Sequence, residues 1–348
     1  MRIFPAEWAP QQFVQLTWPH PETDWAYILE EVQDCFINIA CEIAKRQRLV
    51  IVAPDIEDVY RQIVYEVNME NVTLVELPSN DTWARDHGGI TIFEDGKPVI
   101  LDFQFNGWGL KFPSDKDNLI TERLHRGGHL FGELRNCRNF VFEGGSIESD
   151  GNGTLLTTSE CLLSPNRNAT MSRAEIEAYI LDIFGARQLL WLDHGYLAGD
   201  DTDSHIDTLA RLCPNDTILY VKCDDTADEH YEALHRMEEQ LATFRTLDGK
   251  PYRLIALPMA RPAYEEIKLS YFDTEYERIP ATYANYLVIN GAVLVPTYGT
   301  DLDVFALAQV QQAFPNHEIV GVDCQALIRQ HGSLHCVTMQ YPLVEERV

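Results

Sequence analysis

Four tight turns punctuate this sequence, and what flanks each of them limits the folds open to the chain. The runs Gly89–Phe93 and Pro98–Phe103 are joined by Glu94-Asp-Gly-Lys97, and Gly145–Ser149 and Thr154–Thr158 by Asp150-Gly-Asn-Gly153. Pro214-Asn-Asp216 joins His205–Arg211 to Thr217–Val221, and Asn290-Gly291 joins Tyr286–Ile289 to Ala292–Pro296. Asp-Gly and Asn-Gly supply the positive φ that a tight hairpin needs, so each pair reads as two antiparallel strands. A helical pattern and a short closing strand follow. Residues 171–185 carry apolar positions at helical spacing, with Ser172 as the N-cap, and lead to Gln188–Asp193. Residues 226–243 lead to Arg253–Pro258, and 302–314 lead to Glu318–Asp323. Nearer the N-terminus a helix over 25–46 precedes Arg48–Pro54, and one over 56–66 precedes Val72–Pro78.

Four or five such units recur at a period of roughly 60–70 residues, which points to radial or linear repetition rather than independent domains. No G-x-G-x-x-G opens a helix after a strand, and no G-x-x-x-x-G-K occurs, so dinucleotide and P-loop folds are excluded. The expected fold class is α/β, closed and propeller-like. Residues 1–348 then form one domain with its site on the central axis at the strand ends.

Polar residues and glycines crowd four junctions between a closing strand and the next hairpin: Asp81–Gly89, Phe142–Ser146, Gly199–Asp207 and His331–Cys336. In a radial repeat, equivalent junctions converge, so these segments are expected to share one pocket. Three chemistries compete for it. A thiolate with a histidine acid/base would make it a nucleophilic site. His205-x-Asp207 with a nearby cysteine, or His331 with His335, would make it a zinc site. Local turn capping would make it structural. If His205-Ile-Asp207 is strand, both polar side chains share one face, as on an exposed strand. Asp200, Asp201 and Asp203 beside them demand solvent or a cation.

Charge and cysteine usage narrow the classes. Lys plus Arg number 27 against 54 Asp plus Glu, a formal net charge of −27, which excludes a phosphate-neutralising nucleic-acid binder and docking on an anionic membrane. No apolar run approaches the roughly 20 residues of a membrane span. The N-terminal stretch, with Pro5, Glu7 and Pro10, does not read as a signal peptide. The eight cysteines are scattered without C-x-x-C, the usage of reduced thiols, so a cytoplasmic protein is expected.

At these junctions the sequence resembles the agmatine deiminase and bacterial-type (Porphyromonas-type) peptidylarginine deiminase family of the guanidine-modifying, or pentein, superfamily. The resemblance runs through Phe4-Pro-Ala-Glu-Trp8, Leu16-Thr-Trp-Pro19, Trp83-Ala-Arg-Asp86 and Phe105-Asn-Gly-Trp-Gly109. It continues through Glu143-Gly-Gly-Ser146, Glu160–Asn168, Asp200–Asp207 and Gly332-Ser-Leu-His-Cys336. It implies a five-bladed pseudo-symmetric α/β propeller and a hydrolase acting on C–N bonds of linear amidines. It also implies Cys336 as nucleophile, His205 as acid/base and Glu143 as its acidic partner. Asp86 and Asp207 would hold the guanidinium, with Trp83 beside the substrate. No metal or organic cofactor is implied, and the partner is a small cationic guanidine. The substrate ranked first is agmatine, giving N-carbamoylputrescine for putrescine synthesis. Peptidylarginine or another guanidine is the alternative, as is a silent guanidine-binding protein. A homo-oligomer is compatible with the resemblance. The chain departs from the family pattern where Gly89 stands in place of a common Pro, Ser204 of a common Gly and Glu148 of a common His, and Phe105–Phe112 and Pro19–Trp25, the tail-recognition segments, differ from the pattern of agmatine enzymes.

Overall fold

The computed structural model describes residues 1–270 and 273–344. Among the described residues the strands form six sheets, five of which share one pattern. A first strand runs antiparallel to a second, which runs parallel to a third. The pattern appears in Ile90–Glu94, Lys97–Gln104 and Glu133–Val141, and in Ile147–Ser149, Thr154–Thr158 and Gln188–Leu192. It recurs in Ala210–Cys213, Thr217–Lys222 and Arg253–Pro258, and in Leu287–Ile289, Ala292–Thr297 and Glu318–Asp323. In the fifth sheet the first strand, Thr338–Pro342, comes from the far end of the chain and pairs with Gln11–Thr17, which pairs in turn with Arg48–Ala53. A parallel pair cannot be joined by a tight turn, so each needs a crossover. The helices Ile120–Arg126, Arg173–Phe184, Tyr231–Thr243, Asp303–Ala313 and Leu29–Ala44 supply them. The chain is therefore mixed α/β, and the repeat read from the turns is real.

Burial explains why these segments adopt these elements. Leu29–Ala44 buries Val32, Cys35, Phe36, Ile39, Ala40 and Ile43, the spacing of one helix face. Strand Arg48–Ala53 is buried along all but its first residue, as a parallel strand covered on both faces must be. Ser172 caps Arg173–Phe184 through a full capping box with Glu175. Two apolar clusters lie between the sheets and their helices. One contains Leu16, Phe36, Leu219 and Leu294; the other contains Phe103, Phe142, Leu155 and Ile180.

Three expectations are corrected. The helix expected over 226–243 begins only at Tyr231, because the Asp225 and Asp228 carboxylates accept backbone N–H groups two residues ahead and hold the preceding stretch as turns. The helix expected from 25 opens as a 3₁₀ turn, Ala26–Ile28, before the α-helix at Leu29. His205-Ile-Asp207 is not strand. Ile206–Thr208 is a 3₁₀ turn and the strand starts at Ala210. Asp203 and Ser204 just before it both take positive φ, which turns the chain there. A further hairpin, Ala263–Ser270 with Asp273–Ile279, has no forecast in the sequence. No helix among the described residues is long and apolar enough to cross a membrane.

Candidate active site

The four junctions converge. Asp86 lies in the single helical turn Ala84–His87 and is buried. Its Oδ2 accepts from the Trp108 indole N–H at 3.0 Å, and its Oδ1 from the Gly145 backbone N–H at 3.1 Å. Trp108 reaches it from a turn in which Gly107, Trp108, Gly109 and Leu110 all have positive φ, an uncommon state for a Trp and a Leu. Gly145 occupies the middle of the constellation. A Cβ there would lie 2.6 Å from His205 Nδ1, 2.9 Å from Asp86 Oδ1 and 3.1 Å from Asp207 Oδ2. Only glycine fits at that point.

His205 is 1% exposed and sits between two carboxylates: Nδ1 is 3.6 Å from Asp86 and Nε2 is 3.7 Å from Glu143. Burial opposes an imidazolium, but Asp86, Cys161 and Glu143 outweigh it and hold His205 protonated well above its ordinary range. Its Nε2 makes no hydrogen bond. Glu143 is fixed from behind by Arg167, whose Nε lies 3.0 Å and 2.9 Å from its two oxygens. Burial would raise this carboxyl, yet Arg167 and His205 keep it below the usual range. Arg167 also donates to Asp203 Oδ2 at 2.5 Å and to the Thr202 carbonyl at 2.9 Å, so one guanidinium clamps Glu143 and the loop carrying His205.

Asp207 is buried. Its Oδ2 accepts from His335 Nδ1 at 2.7 Å, while its Oδ1 has no partner. Burial would raise it, but the hydrogen bond and charge of His335 lower it. Cys336 follows His335. Asn285 Oδ1 accepts the Cys336 S–H at 3.3 Å and its backbone N–H at 3.2 Å. Burial, together with the charges of Asp207 and Asp86, pushes the thiol well above its ordinary pKa. Both shifts favour the protonated forms, a thiol at Cys336 and an imidazolium at His205.

Cys336, Asp86, Trp83 and Trp108 open into a cleft of about 660 Å³, counting its mouth. Asp24, Asp81, Asp200 and Asp201 line it as well, and among the described residues no Lys or Arg does. Trp83 packs against Trp108 with ring centroids 6.2 Å apart and against Trp25 at 5.5 Å. A Cβ on Gly332 would lie 2.1 Å from the Trp83 ring, so the turn before the cysteine closes onto that indole because it has no side chain.

All six residues singled out from the sequence fall in or around this constellation. His205 and Asp207, expected on a strand, are buried at a 3₁₀ turn instead. His331 and His335 face different partners, the Gly199 carbonyl and Asp207, not one ion. Among the described residues, the metal-type cluster is Glu143, Cys161 and His205, with donor atoms within 4.8 Å of one another and without Asp207. Arg167 already occupies both Glu143 oxygens. Arg85 points away from the cleft, its Nε 3.5 Å from the His335 carbonyl. Sequence reading missed Arg167, Cys161, Asn285 and Trp108. The first two lie in Glu160–Asn168, and Trp108 lies in Phe105–Gly109, both noted for the resemblance. Nothing local marks Asn285.

The model of the Porphyromonas-type peptidyl-arginine deiminase family matches residues 3–342. The agmatine deiminase of Pseudomonas syringae pv. tomato is 30% identical over 358 aligned residues, covering 97% of this chain and 95% of that protein. A Porphyromonas gingivalis structure described as a putative arginine deiminase is 53% identical, with a TM-score of 0.90 and 98% of each chain covered. A Cys-to-Ser variant of the C. jejuni agmatine deiminase with substrate bound is 37% identical, with a TM-score of 0.89 and coverages of 99% and 97%. Dimethylarginine dimethylaminohydrolase, a pentein, superposes with a TM-score of 0.52 at 11% identity, covering 95% of this chain and 100% of that one. That is a likeness of fold alone.

Proposed function

The chain belongs to the Porphyromonas-type peptidyl-arginine deiminase family, and from that membership we propose that it hydrolyses agmatine to N-carbamoylputrescine and ammonia. Asp86 and Asp207 grip the planar guanidinium through its forked N–H groups. The cation lying against Cys336 offsets the carboxylates that hold its thiol protonated, so the S–H proton passes to solvent and the thiolate attacks the central guanidinium carbon. His205, as an imidazolium, gives the proton of Nδ1, the nitrogen on the Asp86 side, to the departing nitrogen, which leaves as ammonia. An amidino-thioether remains on Cys336. The neutral His205 then takes a proton from water as the water attacks the same carbon. The C–S bond breaks, Cys336 recovers its sulfur, and the ureido product leaves. Glu143, held by Arg167, supports the charge on His205. Trp83 and Trp108 wall the cleft. The reaction so written calls for no metal or organic cofactor.

The acidic lining of the cleft carries the choice of substrate. Asp24, Asp81, Asp200 and Asp201 face the space beyond the guanidinium. Burial and the charge of Asp24 push Asp81 up to about 7, a cost that a cationic amine tail relieves. The α-carboxylate of free arginine would meet these groups without a cation to receive it. The similarity to a protein described as a putative arginine deiminase makes arginine and peptidylarginine the readings to exclude. Ammonia release is measured from agmatine, arginine and a blocked arginine peptide. Agmatine is expected to turn over fastest, and faster turnover of either other substrate would overturn the ranking. In Cys336→Ala, ammonia release should fall at least about a thousandfold; agmatine bound by the wild type without turnover would favour a silent binding protein. The five like sheets are read as the blades of a propeller, and the chain as one catalytic domain built around this axis.

A further inference from the structure

His335 stands beside the nucleophile, yet the mechanism above does not use it. Its Nδ1 donates to Asp207 Oδ2 at 2.7 Å, and its Nε2 donates to Glu7 Oε2 at 2.8 Å. The Glu7 side chain is 8% exposed. It accepts from Arg211 Nη2 at 2.7 Å and, through Oε1, from the Val288 backbone N–H at 2.7 Å. Arg211, 1% exposed, donates onward from Nε to Glu148 Oε1 at 2.6 Å and from Nη1 to the carbonyls of Ala284 and Tyr286. A line of hydrogen-bonded groups thus runs from Glu148 through Arg211, Glu7 and His335 to Asp207. It ends on a carboxylate with one oxygen tied and the other, Oδ1, free.

We propose that His335 is a positioning residue and that Glu7, brought in by the N-terminal segment, is its anchor: together they orient Asp207 and keep it ionised to receive the guanidinium. Two facts argue for this over plain structural support. Every other acceptor in the line is satisfied, and the one free oxygen is the Asp207 Oδ1 that the substrate would need. In addition, Arg211 is shared between Glu148 and Glu7, so Glu7 is held in place while its Oε2 still reaches His335. The groups that face Asp207 are His335, His205, Arg211, Arg85, Asp86 and Cys336. Of these, only His335 touches the Asp207 carboxylate.

The inference rests on Asp207 as a guanidinium ligand, so two readouts separate its fate from that of the proposed activity. The first needs no substrate. In protein labelled with ¹³C at Asp carboxyls, the Asp207 signal is assigned by its absence in Asp207→Asn. Glu7→Gln is expected to move the titration of that signal to higher pH. An unmoved titration overturns the proposal whatever the enzyme's substrate. The second is steady-state kinetics on agmatine. Glu7→Gln should raise KM about tenfold and leave kcat within about twofold. Equal losses in kcat and kcat/KM would mean structural support only, and would sink the idea. His335→Asn, which keeps one N–H, should recover part of the affinity lost in His335→Ala. If neither His335 variant folds, the Glu7→Gln results alone decide. A wild-type protein inert toward agmatine would refute the proposed function but would leave the carboxyl titration as the test of the relay.

Discussion

At the scale of single residues, this site sets like charges close together and spends opposite charges to hold them there. Asp86 shows the cost. Burial pushes its carboxyl up to about 6; Asp207 and Glu143 add to the shift, while His205 and the Trp108 N–H oppose it. A carboxyl with a raised pKa is protonated below that value and cannot grip a guanidinium. The expected acid limb of kcat/KM for agmatine therefore has its midpoint near 6. Asp86→Asn should lower kcat/KM on the order of a hundredfold and flatten the limb; a limb unchanged in that variant would assign it elsewhere. Arg167 carries the opposite duty. It is fully buried against Glu143, so Arg167→Gln leaves a carboxylate unpaired in the interior. The expected loss is about 3–5 kcal/mol in urea unfolding, with a fall in kcat. Stability within about 1 kcal/mol of wild type would mean that the pair is not structural. The sequence displayed Asp86, His205 and Cys336 through their motifs but hid Arg167 and Asn285. Their roles come from contacts across long sequence separations, which no local pattern encodes.

At the scale of elements, the turns were the readable part and the irregular backbone was not. Asp-Gly and Asn-Gly located the hairpins because their φ requirement is local. The 3₁₀ turn at Ile206–Thr208 looked like strand because its apolar and polar residues alternate. What bends it is the pair Asp203 and Ser204 at positive φ, together with Thr208, whose hydroxyl donates to the His205 carbonyl at 2.8 Å. The turn bearing Trp108 is the sharper case. Gly107 has φ +69°, and a Cβ there would lie 2.1 Å from the Phe112 carbonyl oxygen. Gly107→Ala is expected to cost at least about 1–2 kcal/mol from its left-handed backbone alone. It should also move Trp108 off Asp86, lowering kcat/KM more than it lowers the melting temperature. Tryptophan fluorescence and kinetics together test this; an unchanged kcat/KM would show that the indole does not position the carboxylate.

At the scale of the molecule, the repeat was legible because the same strand–turn–strand–helix–strand order recurs. The pairing of Thr338–Pro342 with Gln11–Thr17 was not, because the two strands carry no turn between them and lie more than 300 residues apart. The hairpin Ala263–Ile279 escaped for a different reason. Its strands are rich in charged residues, with little of the apolar alternation that marks a strand. That pairing yields a direct test. A chain cut after Val337 retains every proposed catalytic residue but loses the strand that pairs with Gln11–Thr17. Its ammonia release is expected to fall below about 1% of wild type as the sheet edge frays. Retained activity would show that the site stands without that pairing.

The pairing of Thr338–Pro342 with Gln11–Thr17 also bears on how the chain is made. Synthesis runs from the N-terminus, so one edge of Gln11–Thr17 stays open until Thr338–Pro342 has emerged. Cys336 arrives just ahead of the strand that covers that edge. A nascent chain shorter than this therefore carries carboxylates without a nucleophile, and the reactive sulfur comes into being together with the strand that seals that sheet.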